Sequence, residues 1–333
     1  MKVLFYSIRS YDKYAFEARQ EQFKKLEFEF TESALNSKTV EMAAGYDAVC
    51  IFVNDNAKDE KVIKRLSELG VKVIALRCAG FNNVDYKLAN KLGMTVVRVP
   101  GYSPESIAEF GITLALATAR KVHRTYNRVR EHNFTLSKLS GLSLYKKTAG
   151  IIGYGRIGKC LANITKGFGM NTIAYDPYFT KNGENDTVES VDLNTLYKES
   201  DFIFLTVLLN AQTEHMINKT SISKMKKNVL LVNISRGGLI NTKDLIEAIK
   251  EKKFFGVGLD VYEGEEDVIY TNHEDEILDI PYIDELTSLP NVLVTPHQAF
   301  LTDVALEQIS LSVCNTLTLY NNKEEIDEKC IVK

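Results

Sequence analysis

The chain has no apolar run approaching the ~18 residues of a membrane-spanning helix. Its start, MKVLFYSIRSYDK, holds only about five apolar residues before charge returns, too few for the apolar region of a secretion signal. The five cysteines, Cys50, Cys78, Cys160, Cys314 and Cys330, are odd in number and never in CxxC spacing, which argues against a disulfide framework or a zinc site. No long basic run occurs, and 41 Lys and Arg against 44 Asp and Glu give a net charge of −3, so nothing electrostatic points to nucleic acid. Internal repeats and low-complexity tracts are also missing. These absences predict a cytoplasmic protein with reduced thiols, without a metal, nucleic-acid or membrane partner. Small polar or anionic metabolites remain open as ligands.

What is present is ordinary for a globular protein: 45% hydrophobic and 26% charged residues over 333 positions, enough for roughly two domains. Short β-branched or aromatic runs (VLFYS, EFEFT, AVCIFV, VKVIAL, MTVVRV) alternate with helical spacings such as KDEKVIKRLSELG, the βαβ signature of a parallel sheet. Pro100, Gly101 and Pro104 punctuate the chain before one long helix candidate, PESIAEFGITLALATARKVHRTYNRVREH. A second series then follows: TAGIIG, NTIAYD, DFIFLTV, NVLLVNIS, FFGVGLD and NVLVTP. Their near-continuous apolar character fits strands covered on both faces. An acidic stretch, EGEEDVIYTNHEDEILDI, interrupts the rhythm and reads for most of its length as a solvated loop. The fold class is therefore α/β, with two doubly wound parallel-sheet domains meeting at a cleft.

GYGRIG, Gly153 to Gly158, directly follows the strand candidate TAGII. In a G-x-G-x-x-G turn, Gly153, Gly155 and Gly158 permit a tight turn, a close approach to a pyrophosphate and close packing of the next helix. NTIAYD ends on Asp176, which stands 176 − 153 = 23 residues after the first glycine, near the ~20-residue spacing of the acid that holds the adenosine ribose. A carboxylate there accepts both ribose hydroxyls and repels a 2′-phosphate, so NAD is the predicted cofactor.

Hydride transfer to a 2-keto acid also needs a cation for the carboxylate and an acid for the carbonyl oxygen. In NVLLVNISRGGLIN, Arg236 follows a buried strand at the end where a parallel sheet binds ligands, and a guanidinium grips a carboxylate bidentately. Gly237 and Gly238 would let substrate and backbone come close. His297 stands just past NVLVTP, whereas His123, His132, His215 and His273 occupy polar contexts that read as solvated. Imidazole suits reversible proton exchange near neutrality, and a carboxylate beside such a ring favours its protonated form and fixes its tautomer. Asp260, Glu263, Glu265 and Glu266 are the candidates, and composition does not choose among them.

With GYGRIG, NISRGGLI, GLDVYEGE and TPHQAF in this order, the chain resembles the D-isomer-specific 2-hydroxyacid dehydrogenases over nearly its whole length. IFVND, ALRCAGFNNVD and VRVPGYSPESIAE resemble the fermentative D-lactate branch of that family. The resemblance implies a Rossmann NAD-binding domain over 101–298 and a discontinuous, flavodoxin-like substrate domain over 1–100 and 299–333, with hinges near Pro100 to Tyr102 and near Ala299. It implies Arg236, Glu265 and His297 as the catalytic set, with Glu263 the nearest rival to Glu265. Cys78, Ala79 and Gly80 would offer backbone amides to the substrate carboxylate, and Tyr102, Phe300 and Phe52 would close the pocket around a short 2-substituent. Arg156, Ile157, Pro177, Val207, Ser235 and Asp260 join the glycines and Asp176 as expected cofactor contacts.

The implied reaction is reversible reduction of pyruvate to D-lactate in a homodimer or homotetramer. Alternatives are a dehydrogenase for a larger 2-keto acid, such as 2-ketoisocaproate or phenylpyruvate, and a non-catalytic NAD-sensing protein. Two departures from the family pattern stand near the cofactor: LLNAQT, Leu208 to Thr213, replaces a proline-containing turn, and Phe110 stands where His is common.

Overall fold

The computed structural model describes residues 1–181, 186–265, 268–278 and 280–333. Its backbone divides into two units, Met1–Ser103 with Leu301–Lys333, and Pro104–Phe300.

In the first unit the β-branched and aromatic runs form five parallel strands: β1 (Lys2–Phe5), β2 (Glu27–Phe30), β3 (Ala48–Ile51), β4 (Val73–Leu76) and β5 (Thr95–Arg98). Their order is β2-β1-β3-β4-β5, the doubly wound order in which the first strand lies inside the sheet. Strands β3 and β4 are buried at every residue, as unbroken apolar strands between two covered faces must be. Phe5 packs against Phe16, Phe28 and Phe30 with ring centroids 4.6, 5.4 and 5.2 Å apart. The C-terminal helix Asp303–Asn322 belongs to this unit, and the final residues close it: Val332 N donates to Val96 O at 2.9 Å.

One charge stands inside that core. Arg77 directly follows β4 and is 0% exposed. Its Nη2 donates to Ser7 O at 2.9 Å, its Nε lies 3.5 Å from Asp12 Oδ2, and its guanidinium is 4.8 Å from the Phe52 ring centroid. Nearby, buried Asp55 accepts from Ser7 Oγ, Leu35 N and Phe52 N at 2.7, 2.7 and 2.6 Å. Burial pushes both the Asp12 and Asp55 carboxyls up, against the pull of the guanidinium.

The second unit holds a seven-stranded parallel sheet of β6 (Thr148–Ile152), β7 (Asn171–Tyr175), β8 (Glu189–Ser190), β9 (Phe202–Leu205), β10 (Val229–Asn233), β11 (Phe254–Leu259) and β12 (Val292–Val294). The order is β12-β11-β10-β9-β6-β7-β8. Alternate residues of one strand enter different cores: Ile203 and Leu205 face one apolar cluster, Phe202 and Phe204 the other. This division across two buried faces is why DFIFL carries no polar alternation.

The long helix expected after Pro104 is broken in two, Pro104–Ala119 and Val122–Arg130. Lys121 between them takes the left-handed conformation, φ 55°. The first piece buries Ala108, Ile112, Leu114 and Ala115, while the second has no buried residue. Continuous helical periodicity concealed the break because the polar second piece keeps the spacing without needing the core.

Candidate active site

All seven strands of the second unit run parallel, so every loop leaving a strand C-terminus emerges at one edge of the sheet. Sheet order reverses beside β6, whose neighbours are β7 on one side and β9 on the other. Such a switch point is where open α/β sheets bind ligands.

GYGRIG leaves β6 at that point, and its three glycines answer three separate demands. Gly153 has φ +99°, and a Cβ there would stand 2.7 Å from Val207 N; a Cβ on Gly158 would stand 2.2 Å from Gly153 O. Gly155 meets nothing within 4 Å. It is exposed and is the N-cap of the helix Arg156–Gly167, where it has no side chain to offer a cap. Open space before a helix N-terminus is what a pyrophosphate requires.

Asp176 follows β7, and its Oδ2 accepts from Tyr154 N at 2.7 Å while Oδ1 accepts from Tyr178 N at 2.8 Å. The carboxylate is thus fixed against the glycine turn, with lone pairs left for ribose hydroxyls. Tyr154, inside GYGRIG, stacks on Phe179 at 4.9 Å and bonds Asp186 at 2.8 Å, which holds the loop after β7 over the turn. Arg156 and Pro177 are exposed there, and Ile157 is half-buried. These residues fit a dinucleotide.

The Arg236 loop is built by Asn233, the last residue of β10, which the sequence reading did not single out. Wholly buried, Asn233 donates through Nδ2 to Arg236 O at 2.9 Å and accepts from Ser235 N at 3.1 Å. Ser235 Oγ donates to Val207 O at 2.5 Å, tying this loop to the one after β9. Arg236 is half-buried, and its Nη1 donates to Ser235 O at 2.7 Å. The two glycines that follow admit neighbouring loops: a Cβ on Gly237 would stand 2.2 Å from Tyr262 C, and one on Gly238 3.1 Å from Leu209 Cδ2.

His297 and Glu265 meet. His297 Nδ1 lies 2.9 Å from Glu265 Oε1, with side chains 20% and 6% exposed, so a single nearly buried carboxylate holds one ring nitrogen. Glu265 Oε2 accepts from Tyr262 N at 3.2 Å. His297 itself is left-handed, φ 53°, a conformation that costs a non-glycine residue energy and persists only when its neighbours enforce it. Asp260, expected at the cofactor, is wholly buried and faces the turn that carries His297, accepting from Thr295 Oγ1, Gln298 N and Ala299 N at 2.6, 2.9 and 2.8 Å.

Glu263 turns elsewhere. Its Oε1 lies 2.5 Å from His215 Nε2 and its Oε2 accepts from Thr242 N at 2.9 Å. Burial opposes its charge, but the bonds from Thr242 and His215 hold the carboxyl below its ordinary range. His215, expected to be solvated, is thus paired while its side chain stays 40% exposed, a partner that only the folded loops could supply. Glu266 lies outside the described residues.

The acidic segment is exposed at Thr271, Asn272 and 274–277, as a solvated loop is, but its first part is docked: Glu265 and Ile269 are buried, and Tyr270 donates its hydroxyl to His297 O at 2.9 Å. Phe300 is buried and packs edge-on against Tyr270. In the first unit, Phe52 and Cys78 are buried, whereas Ala79, Gly80 and Tyr102 are half-buried. Of the two departures, Phe110, within the Pro104–Ala119 helix, packs on the core, and Leu208 is 80% exposed in a turn closed by Thr213 Oγ1 on Leu208 O.

Residues 112–299 match the family model for the D-isomer specific 2-hydroxyacid dehydrogenase, NAD binding domain. The chain is 44% identical over 318 residues to the D-lactate dehydrogenase of Escherichia coli, covering 96% of each. Its fold is similar to that of the pyruvate reductase of Chlamydomonas reinhardtii, with TM-score 0.93, 38% identity and 98% of each chain covered. It is also similar to D-2-hydroxyisocaproate dehydrogenase, with TM-score 0.88, 30% identity and 100% of each chain covered. The glycine turn at the switch point, the strand-end arginine and the His–Glu pair thus stand in a chain whose likeness is near full length, and the protein belongs to the D-isomer specific 2-hydroxyacid dehydrogenase family.

Proposed function

We propose that this protein is an NAD-dependent D-lactate dehydrogenase that reduces pyruvate reversibly. The observation that carries the reading is the 2.9 Å contact of His297 Nδ1 with Glu265 Oε1, at the same sheet edge as Arg236 and the glycine turn. Bound NADH supplies the hydride. Gly153, Gly155, Arg156, Ile157 and Gly158 hold the pyrophosphate, and Asp176 the adenosine ribose, with Pro177, Val207 and Ser235 beside them. Arg236 takes the keto-acid carboxylate bidentately.

With Nδ1 on Glu265, His297 presents Nε2 to the carbonyl oxygen, gives its proton in reduction and takes one in oxidation. Glu265 stabilises the imidazolium and fixes the tautomer, and Asp260 acts through the turn it holds. Phe300, edge-on to Tyr270, limits the 2-substituent. The likeness to D-2-hydroxyisocaproate dehydrogenase supports a second reading, in which the preferred keto acid is larger.

Assembly with a second copy is part of the proposal. Helix Val122–Arg130 and the residues after it leave Val122, Tyr126, Phe134 and Leu136 between 55% and 82% exposed, apolar surface that a homodimer or homotetramer would cover.

The test is NADH oxidation with pyruvate, 2-ketoisocaproate, phenylpyruvate, oxaloacetate and hydroxypyruvate, with chiral identification of the product and light scattering for the oligomer. D-lactate, with pyruvate preferred in kcat/KM, is the expected result. Preference for a branched or aromatic keto acid would establish the second reading. Tight NADH binding without turnover of any of them would move the assignment to an NAD-sensing protein.

A further inference from the structure

The loop after β11 holds His297 by more than the Glu265 carboxylate. Glu265 O accepts from Val268 N and Ile269 N, both at 3.0 Å, a turn that delivers Tyr270 beside Glu265. From this turn the Glu265 carboxylate reaches the His297 ring, and the Tyr270 hydroxyl reaches the His297 carbonyl at 2.9 Å. The Tyr270 ring lies 6.2 Å from the imidazole and 6.3 Å, edge-on, from Phe300. On the amide side, His297 N donates to Asp260 O at 2.8 Å and to Thr295 O at 3.0 Å. Both peptide groups of a left-handed residue are therefore fixed, one by the backbone of residues 260 and 295, the other by a side-chain hydroxyl.

We propose that Tyr270 is a positioning residue for the proton-transfer step: its hydroxyl sets the backbone of His297 so that the imidazole keeps its line from Glu265 to the substrate carbonyl. The inference rests on His297 being the proton donor. A small rotation about the residue-297 backbone swings the ring, and misplacement of a reacting group slows the step without changing its chemistry. Phe at position 270 keeps the ring contacts and removes one hydrogen bond.

The test is Tyr270→Phe in the full-length enzyme, beside His297→Asn, measuring kcat, KM for pyruvate, NADH affinity, the solvent deuterium isotope effect on kcat, and the unfolding midpoint. Loss of one neutral hydrogen bond predicts a fall in kcat of about twofold to tenfold, with NADH affinity unchanged and a larger solvent isotope effect, because proton transfer becomes more rate-limiting. A loss confined to the unfolding midpoint, with kcat and the isotope effect unmoved, overturns the inference and makes the hydroxyl merely structural. Near-full activity of His297→Asn would instead overturn the assignment of His297 itself.

Discussion

Replacing Arg77 by Met tests the buried charge under the first unit's sheet. Arg77, Asp12 and Asp55 are 0%, 3% and 1% exposed, so the substitution leaves two carboxylates in a low dielectric without their cation. Removing one partner from such a pair costs roughly 3–5 kcal/mol. For a unit of this size each kcal/mol moves the midpoint by about 2–4 °C, giving a predicted fall of roughly 6–20 °C. The sign with pH follows from burial, which raises both carboxyls in the folded state. At pH between the unfolded and folded values each takes up a proton on folding, so stability is lost as pH rises through that window. Without Arg77 that window reaches higher, so the deficit of the variant narrows as pH falls. Thermal unfolding followed by circular dichroism at several pH values measures it. Adding Asp12→Asn should recover part of the loss, since the 3.5 Å contact then has no charge to strand. An Arg77→Met chain as stable as the parent near neutral pH would refute the reasoning and show that these carboxyls are protonated in the native protein.

Arg236→Lys should lower kcat/KM for the keto acid by about tenfold to hundredfold, because an ammonium cannot make the paired bonds of a guanidinium; near-full kcat/KM would remove Arg236 from substrate binding. Gly155→Ala should fold with an unchanged midpoint, since its Cβ meets nothing within 4 Å, yet weaken NADH binding by titration. Gly158→Ala should lower the midpoint, its Cβ standing 2.2 Å from Gly153 O. Equal effects of the two on stability would contradict the division of roles. Asp176→Ser should raise the ratio of kcat/KM for NADPH over NADH by removing the charge that repels a 2′-phosphate; an unchanged ratio would place cofactor choice elsewhere.

The parallel sheets were legible because apolar runs such as VIAL, FIFL and VLLVN are too short and too continuous for anything but strands buried on both faces. GYGRIG with Asp176 was legible because a fixed spacing along the chain becomes a fixed geometry in one βαβ unit. The break at Lys121 was not, since helical periodicity persists across it. His215 read as a solvated polar residue and Glu263 as a candidate partner of His297; their own pairing arises because the loops after β9 and β11 pack around Gly237 and Gly238. Asn233 and Arg77 did leave a trace, as polar residues closing apolar strands. Tyr270 left none: an acidic loop has no periodicity, and the docking of Tyr270 is decided by His297 and Phe300, which come later in the chain.

Local information therefore determined which segments are strands and helices, which unit binds a dinucleotide, and that an arginine and a histidine stand at strand ends. Between Glu265 and Glu263 composition did not choose, the family resemblance implied Glu265, and the physical reason belonged to the tertiary structure. The two carboxylates are two residues apart, and only the packing of loops from β9, β10 and β11 aims one at His297 and the other at His215 and Thr242.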